Sequence, residues 1–162
     1  MIILKALLKI NCILKIIFYK LIYGNKFNFG KNFTFRKGFS LIIDGDSAKV
    51  KIGDNVFFNN FCTVASMEKI TIGDNTIFGE NVKIYDHNHE FRNAEIPIKN
   101  QGYNSGSITI GKNCWIASNT IILKGVVIGD HCIIGAGNIV YKDVADNSVL
   151  LSKQEQLVKA SV

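Results

Sequence analysis

The sequence predicts an all-β solenoid, a parallel β-helix, on three observations. An aliphatic or aromatic residue returns every six positions, a glycine follows the first member of each group of three, and two residues beyond that glycine stands an asparagine or, once, a histidine. The recurring positions are Phe29, Phe35, Leu41; Ile52, Phe58, Val64; Ile72, Phe78, Ile84; Ile110, Ile116, Ile122; and Ile128, Ile134, Val140. A six-residue period in sets of three implies a coil with three short faces, and five sets imply about five coils. The glycines are Gly30, Gly53, Gly73, Gly111 and Gly129, followed two places on by Asn32, Asn55, Asn75, Asn113 and His131. Both glycine and asparagine adopt positive φ easily, so the tight corners are assigned to these positions. His131 takes the place of an asparagine at a corner and reads as structural.

Four residues after most recurring positions the side chain is small or β-branched: Val56, Cys62, Thr76, Val82, Cys114, Thr120, Val126 and Cys132, with Phe33, Phe39 and Asn138 departing. A narrow interior explains the choice, with Cys62, Cys114 and Cys132 acting as small hydrophobes. Cys114 and Cys132 fall on neighbouring coils, yet reduced thiols are expected. The apolar N-terminus is interrupted by lysines and no small-residue cleavage site follows it, which points to a cytoplasmic chain.

The spacing between sets places the working part. Within each set the step is six, whereas between sets it is eleven (41 to 52), eight (64 to 72), twenty-six (84 to 110) and six (122 to 128). All extra residues therefore leave the coil at one corner. The longest break, taken as 85–109, exceeds ordinary connection length and is expected to carry function. It begins Tyr85-Asp86-His87-Asn88-His89 and holds two of the three histidines.

The domain reading is an N-terminal amphipathic helix at 1–23, a β-helix at 24–146 with this inserted loop, and a tail at 147–162 ending in a short helix. In the N-terminal helix Lys5, Lys9 and Lys20 oppose Ile3, Leu7, Ile10, Leu14, Ile17 and Leu21. It is read first as a cap over the open end of the solenoid, which otherwise exposes strand edges. A peripheral contact with a membrane surface is the second reading.

The net charge of +6 favours anionic partners. Nucleic acid ranks last among them, because the lysines are dispersed and no nucleic-acid motif is present.

With these residues in view, the chain resembles the hexapeptide-repeat acyltransferases of left-handed parallel β-helix fold. It is most similar to the galactoside and maltose O-acetyltransferases and to the O-acetyltransferases of bacterial surface polysaccharides. Two segments carry the likeness: Ile72-Gly73-Asp74-Asn75 through His87, and Ile110-Gly111-Lys112-Asn113-Cys114-Trp115-Ile116-Ala117-Ser118 through Gly135-Ala136-Gly137. The resemblance implies a homotrimer that moves acetyl from acetyl-CoA to a sugar hydroxyl between subunits, with no metal required. It matches His87 to the general base; an attacking hydroxyl must lose its proton, and an imidazole suits that task. His89 is the second candidate for that role or an acceptor ligand, and Asp86 either orients an imidazole or forms a turn. Ser118 is matched to an oxyanion donor through its backbone N–H. Trp115, Ala136, Gly137 and Lys142 are matched to CoA contacts, and Asn59 to the acceptor or to a corner. Leu151-Ser152-Lys153-Gln154 stands where the sugar O-acetyltransferases have a Gly-x-Pro-Ala-type ending, and the N-terminal region does not look like the helical acceptor-binding domain of the galactoside and maltose enzymes. A polysaccharide unit or lipid-linked glycan is therefore favoured over a small free sugar.

Three other readings compete. The same base would serve an amine acceptor on an aminosugar or xenobiotic. A γ-carbonic-anhydrase-like zinc hydratase would need a third imidazole beside His87 and His89. A trimeric scaffold would use only its N-terminal helix.

Overall fold

The structure, a computed structural model, describes residues 2–152, with side chains from Lys9 onward. Helix α1 (Ile2–Tyr23) leads into a solenoid of three parallel sheets. The first face stacks Phe27–Phe29, Lys49–Ile52, Lys69–Ile72, Ile108–Ile110 and Val127–Ile128. The second stacks Thr34–Phe35, Phe57–Phe58, Ile77–Phe78, Trp115–Ile116, Ile133–Ile134 and Val149–Leu150. The third stacks Ser40–Ile43, Thr63–Ser66, Lys83–Tyr85, Ile121–Ile122 and Ile139–Val140. Five coils are complete and a sixth begins, with Val144 bridging Ile128 and Leu150 beside Ile134. The solenoid therefore runs past residue 146, where the expected boundary lay. The short helix expected at the end of the tail lies outside the described residues.

Register explains the period of six. Ile52 pairs with Ile72, Ile72 with Ile110 and Ile110 with Ile128, so like stacks on like along each face. Phe58 and Phe78 stack at 4.1 Å between ring centroids. All the recurring residues are buried except Phe29, which is 38% exposed. Phe29 sits on the outermost coil, where no further coil covers it. The small positions are buried as expected, and so are Phe33, Phe39 and Asn138. All four cysteines are free and buried. The thiols of Cys62, Cys114 and Cys132 lie 3.1 Å from carbonyl oxygens of Gly79, Gly129 and Ala145. Each thiol donates to the next coil and fills the space a larger residue would overrun.

The corner residues divide the work differently from the sequence reading. Asn32, Asn55, Asn75, Asn113 and His131 all have φ between 55° and 58°. The repeat glycines are not in the left-handed region; they are needed because the coils approach too closely for a side chain. A Cβ on Gly73 would lie 2.6 Å from the carbonyl carbon of Gly111, and one on Gly111 would lie 2.6 Å from that of Gly129. Asparagine side chains add a ladder up the corner, Asn32 to Asn55 at 2.9 Å and Asn55 to Asn75 at 3.0 Å.

Helix α1 covers the open end, but not with the stripe the sequence suggests. Cys12 is buried and Ile16, Tyr19 and Tyr23 pack against the core, whereas Ile10, Leu14, Ile17 and Leu21 face outward. The docked side wins because it also satisfies the first coil's unpaired edge. Tyr19 Oη donates to Phe39 O and Tyr23 Oη to Leu41 O, each at 3.1 Å, and Lys20 Nζ donates to Phe27 O at 2.8 Å. Phe35 N–H donates to Cys12 Sγ at 3.4 Å. An edge that would recruit another strand is blocked in this way.

Extra residues do leave at one corner, between the third and first faces, at 44–48, 67–68 and 86–107. Tyr85, Ile108 and Thr109, which the sequence reading gave to the loop, belong to strands. Gly73→Ala is expected to destabilise the fold by about 1–3 kcal/mol, since backbone rather than a movable side chain meets the new Cβ. Thermal denaturation followed by circular dichroism measures this.

Candidate active site

The long break opens as an antiparallel hairpin, His87–His89 against Tyr103–Ser105, with His87 opposite Ser105 and His89 opposite Tyr103. Residues two apart on a strand share a face, so both imidazoles point to the same side. Tyr103 meets both rings, at 5.5 Å from His87 and 4.6 Å from His89. The tip of the loop is folded by Gln101. Its Nε2 donates to Asn93 O at 2.8 Å and Ile96 O at 2.7 Å, and its Oε1 accepts from Asn93 N–H at 3.1 Å.

Asp86 is not a surface turn former. It is fully buried, and its carboxylate accepts from Ser66 Oγ at 2.6 Å, Met67 N–H at 2.7 Å and Glu68 N–H at 3.0 Å. Its Oδ1 also lies 3.0 Å from His87 Nδ1. A carboxylate at Nδ1 places the ring proton there and leaves Nε2 free to accept. His87 is about one-fifth exposed, whereas His89 is open to solvent. His89 lines a small cavity of about 90 Å³ with Asn88, Glu90, Phe91, Arg92, Asn104 and Lys124.

Ser66, Glu68 and Tyr103 escaped the sequence reading. Ser66 had a signal, because it stands two residues after Val64 as Asp86 stands two after Ile84, one coil apart. Glu68 braces the far side of the loop, accepting from Ser107 Oγ at 2.7 Å. The hydroxyls of Ser107 and Ser105 hold its carboxyl below the ordinary glutamate value.

The residues matched to CoA gather at a different corner, between the second and third faces. Ser118 follows the strand Trp115–Ile116, and Ala136 and Gly137 follow Ile133–Ile134 on the next coil. Gly137 N–H donates to Ser118 O at 3.0 Å, and Ser118 Oγ accepts from Glu80 N–H at 3.0 Å. Trp115 is half exposed, on the second face beside Ile77 and Ile133. Asn59 stands on the same corner two coils below Ser118. Its Oδ1 accepts from Asn60 N–H at 2.9 Å and Arg36 Nη1 at 3.3 Å, which suits the corner reading. Lys142 is separated from this group; it follows Val140 at the loop's own corner, its ammonium 5.8 Å from the Tyr141 ring.

Two other chemistries receive no geometric help. Burial pushes the thiols of Cys62 and Cys114 up, away from the thiolate a nucleophile needs. His131 is fixed at its corner with φ 58°, and among the described residues no three His, Cys, Asp or Glu are gathered as metal ligands.

Comparison with known proteins agrees with this architecture. Residues 107–142 match the family model for the bacterial transferase hexapeptide (six repeats). The chain is 31% identical over 113 residues to a putative lipopolysaccharide biosynthesis O-acetyl transferase, WbbJ, of Escherichia coli K12, covering 65% of this chain and 58% of that protein. It is 40% identical over 106 residues to the galactoside O-acetyltransferase of the same organism, covering 63% and 49%. A solved structure of a galactoside acetyltransferase in complex with coenzyme A superposes with TM-score 0.67 at 36% identity, covering 76% of this chain and 60% of that one. The chain thus spans about half the length of the curated relatives it matches. Residues 107–142 thus match a hexapeptide repeat, and the chain resembles the galactoside and maltose O-acetyltransferases and the surface-polysaccharide O-acetyltransferases.

Asp86→Ala would strand the Ser66 hydroxyl and two N–H groups at the root of the loop. A loss of about 3 kcal/mol or more is expected by chemical denaturation, from hydrogen bonds to a charged group.

Proposed function

We propose that this chain transfers an acetyl group from acetyl-CoA to a hydroxyl of a surface-polysaccharide sugar or its precursor. The observation that carries the reading is the Asp86–His87 pair at the longest break in the coil. With Nδ1 holding the proton toward Asp86, Nε2 takes the proton of the acceptor hydroxyl as its oxygen attacks the thioester carbonyl. The tetrahedral oxyanion is stabilised by the backbone N–H of Ser118. Collapse breaks the carbon–sulfur bond, and the CoA thiolate leaves with the proton from the imidazolium, giving ester and free CoA. Asp86 is a positioning residue and keeps the imidazolium compensated. Trp115, Ala136 and Gly137 line the groove for the pantetheine arm.

The reading places this site between copies of the chain. The histidine hairpin and the Ser118–Gly137 pair occupy different corners of one triangular coil. A cyclic trimer brings the loop corner of one subunit against the Ser118 corner of the next. Phe91, Ile96, Ile98 and Tyr103 of the loop are all at least 42% exposed, which suits a loop that lies on a neighbour. Lys142, at the loop corner, then faces the CoA bound by the adjacent subunit.

The exposed cavity beside His89 favours a second assignment, in which His89 is the base and His87 only supports the hairpin. Two variants separate them. His87→Ala is expected to lower kcat by about 10²–10⁴-fold with acetyl-CoA affinity unchanged by calorimetry, and His89→Ala to cost less. Loss in His89→Ala with a near wild-type rate in His87→Ala would exchange the roles. Saturable acetyl-CoA binding near one site per chain is expected, and no binding at millimolar ligand would overturn the whole reading.

A further inference from the structure

The outward side of helix α1 is an apolar stripe of Ile10, Ile13, Leu14, Ile17, Phe18, Leu21 and Ile22, with Asn11 a polar residue near its edge. Each apolar side chain is about half exposed or more, and Leu21 is 80% exposed. At 100° per residue these seven fall within one side of the helix, opposite Cys12, Ile16, Tyr19 and Tyr23. Lys9 and Lys20 flank the stripe on one side and Lys15 on the other. The helix contains no Asp or Glu. The asymmetry extends beyond the helix, because residues 1–43 carry eight of the nineteen Lys and Arg and none of the thirteen Asp and Glu. Beneath the helix, where it meets the first coil, Lys15, Arg36, Lys37 and Asn11 share a cavity of about 230 Å³. No helix among the described residues is long and apolar enough to cross a membrane.

We infer that the capped end of the solenoid docks on an anionic lipid bilayer, with α1 lying in the interface plane. The stripe enters the acyl boundary, the flanking lysines reach the headgroup level, and the cavity under the helix receives a lipid phosphate. Charge selects this occupant over a second copy of the chain. Two such ends would set Lys9, Lys15, Lys20, Arg36 and Lys37 of one copy against the same cations of another, and neither helix carries an acidic residue to pair with them. The docked side of the helix stays committed to the solenoid, so docking requires no unfolding of the cap. The inference does not depend on the acyl-transfer reading, and its test uses no acetyl-CoA.

The test is flotation of the full chain with vesicles of phosphatidylcholine alone and with about one-third phosphatidylglycerol. Partitioning at least about tenfold stronger to the anionic vesicles, and weakened by salt, is expected. Leu14→Glu with Leu21→Glu should lower that binding about tenfold or more while circular dichroism and sedimentation mass stay unchanged. Lys15→Glu with Lys37→Glu leaves the apolar stripe intact and should remove the preference for anionic vesicles. Equal binding to both vesicle types, or none, overturns the inference. So does a Leu14→Glu/Leu21→Glu protein whose sedimentation mass falls while vesicle binding is unaltered, since the stripe would then be a contact between copies.

Discussion

Everything in this protein depends on one close contact, backbone on backbone, where the repeat glycine of one coil meets that of the next. Gly73 over Gly111 and Gly111 over Gly129 leave no room for a Cβ, and that approach sets the spacing at which all three faces form their ladders. Given the spacing, the interior becomes a column. Isoleucine rests on isoleucine, the cysteines fit where larger side chains would push the coils apart, and the asparagine ladder fixes the bend.

A solenoid built this way has two weaknesses, its open ends and its lack of concave surface. The first is met at the N-terminal end by α1, whose tyrosines and Lys20 satisfy carbonyl groups of the first coil. The second is met by a single corner at which the chain leaves without disturbing the stack. Asp86 is the hinge pin of that exit. Its carboxylate is tied to Ser66, Met67 and Glu68 of the coil below, and the same carboxylate fixes the ring of His87. The bond network that anchors the loop thereby also orients the imidazole, so stability and the proposed chemistry share one buried carboxylate.

Much of this could be read from the chain because the repeat is one-dimensional: a residue's coil, face and orientation follow from its number. The buried positions, the corner asparagines, His131 and the exit corner all follow from counting. The glycines were legible as a pattern but not in their cause, since φ can be guessed from residue type while contact with the next coil requires the stacked backbone. The docked side of α1 was hidden for a similar reason. Hydropathy points to Leu14 and Leu21, yet hydrogen bonding by Tyr19 and Tyr23 decides which side turns inward. For Asp86 the sequence left two readings, orienting an imidazole or forming a turn, because its partners lie about twenty positions earlier, one coil away. Tyr103 approaches the histidines only after the hairpin has formed, and no period predicts that.

In the proposed enzyme the histidine hairpin of one copy works with the Ser118–Gly137 corner of another. Mixed assembly tests it. His87→Ala removes the proposed base and Ala136→Trp fills the proposed CoA groove, and each variant alone should be inactive. Unfolded and refolded together in equal amounts, they should regain about a quarter of wild-type activity, because each mixed cyclic trimer holds one interface with both parts intact. A mixture as inactive as its components would place both parts of the site within a single chain and contradict the account.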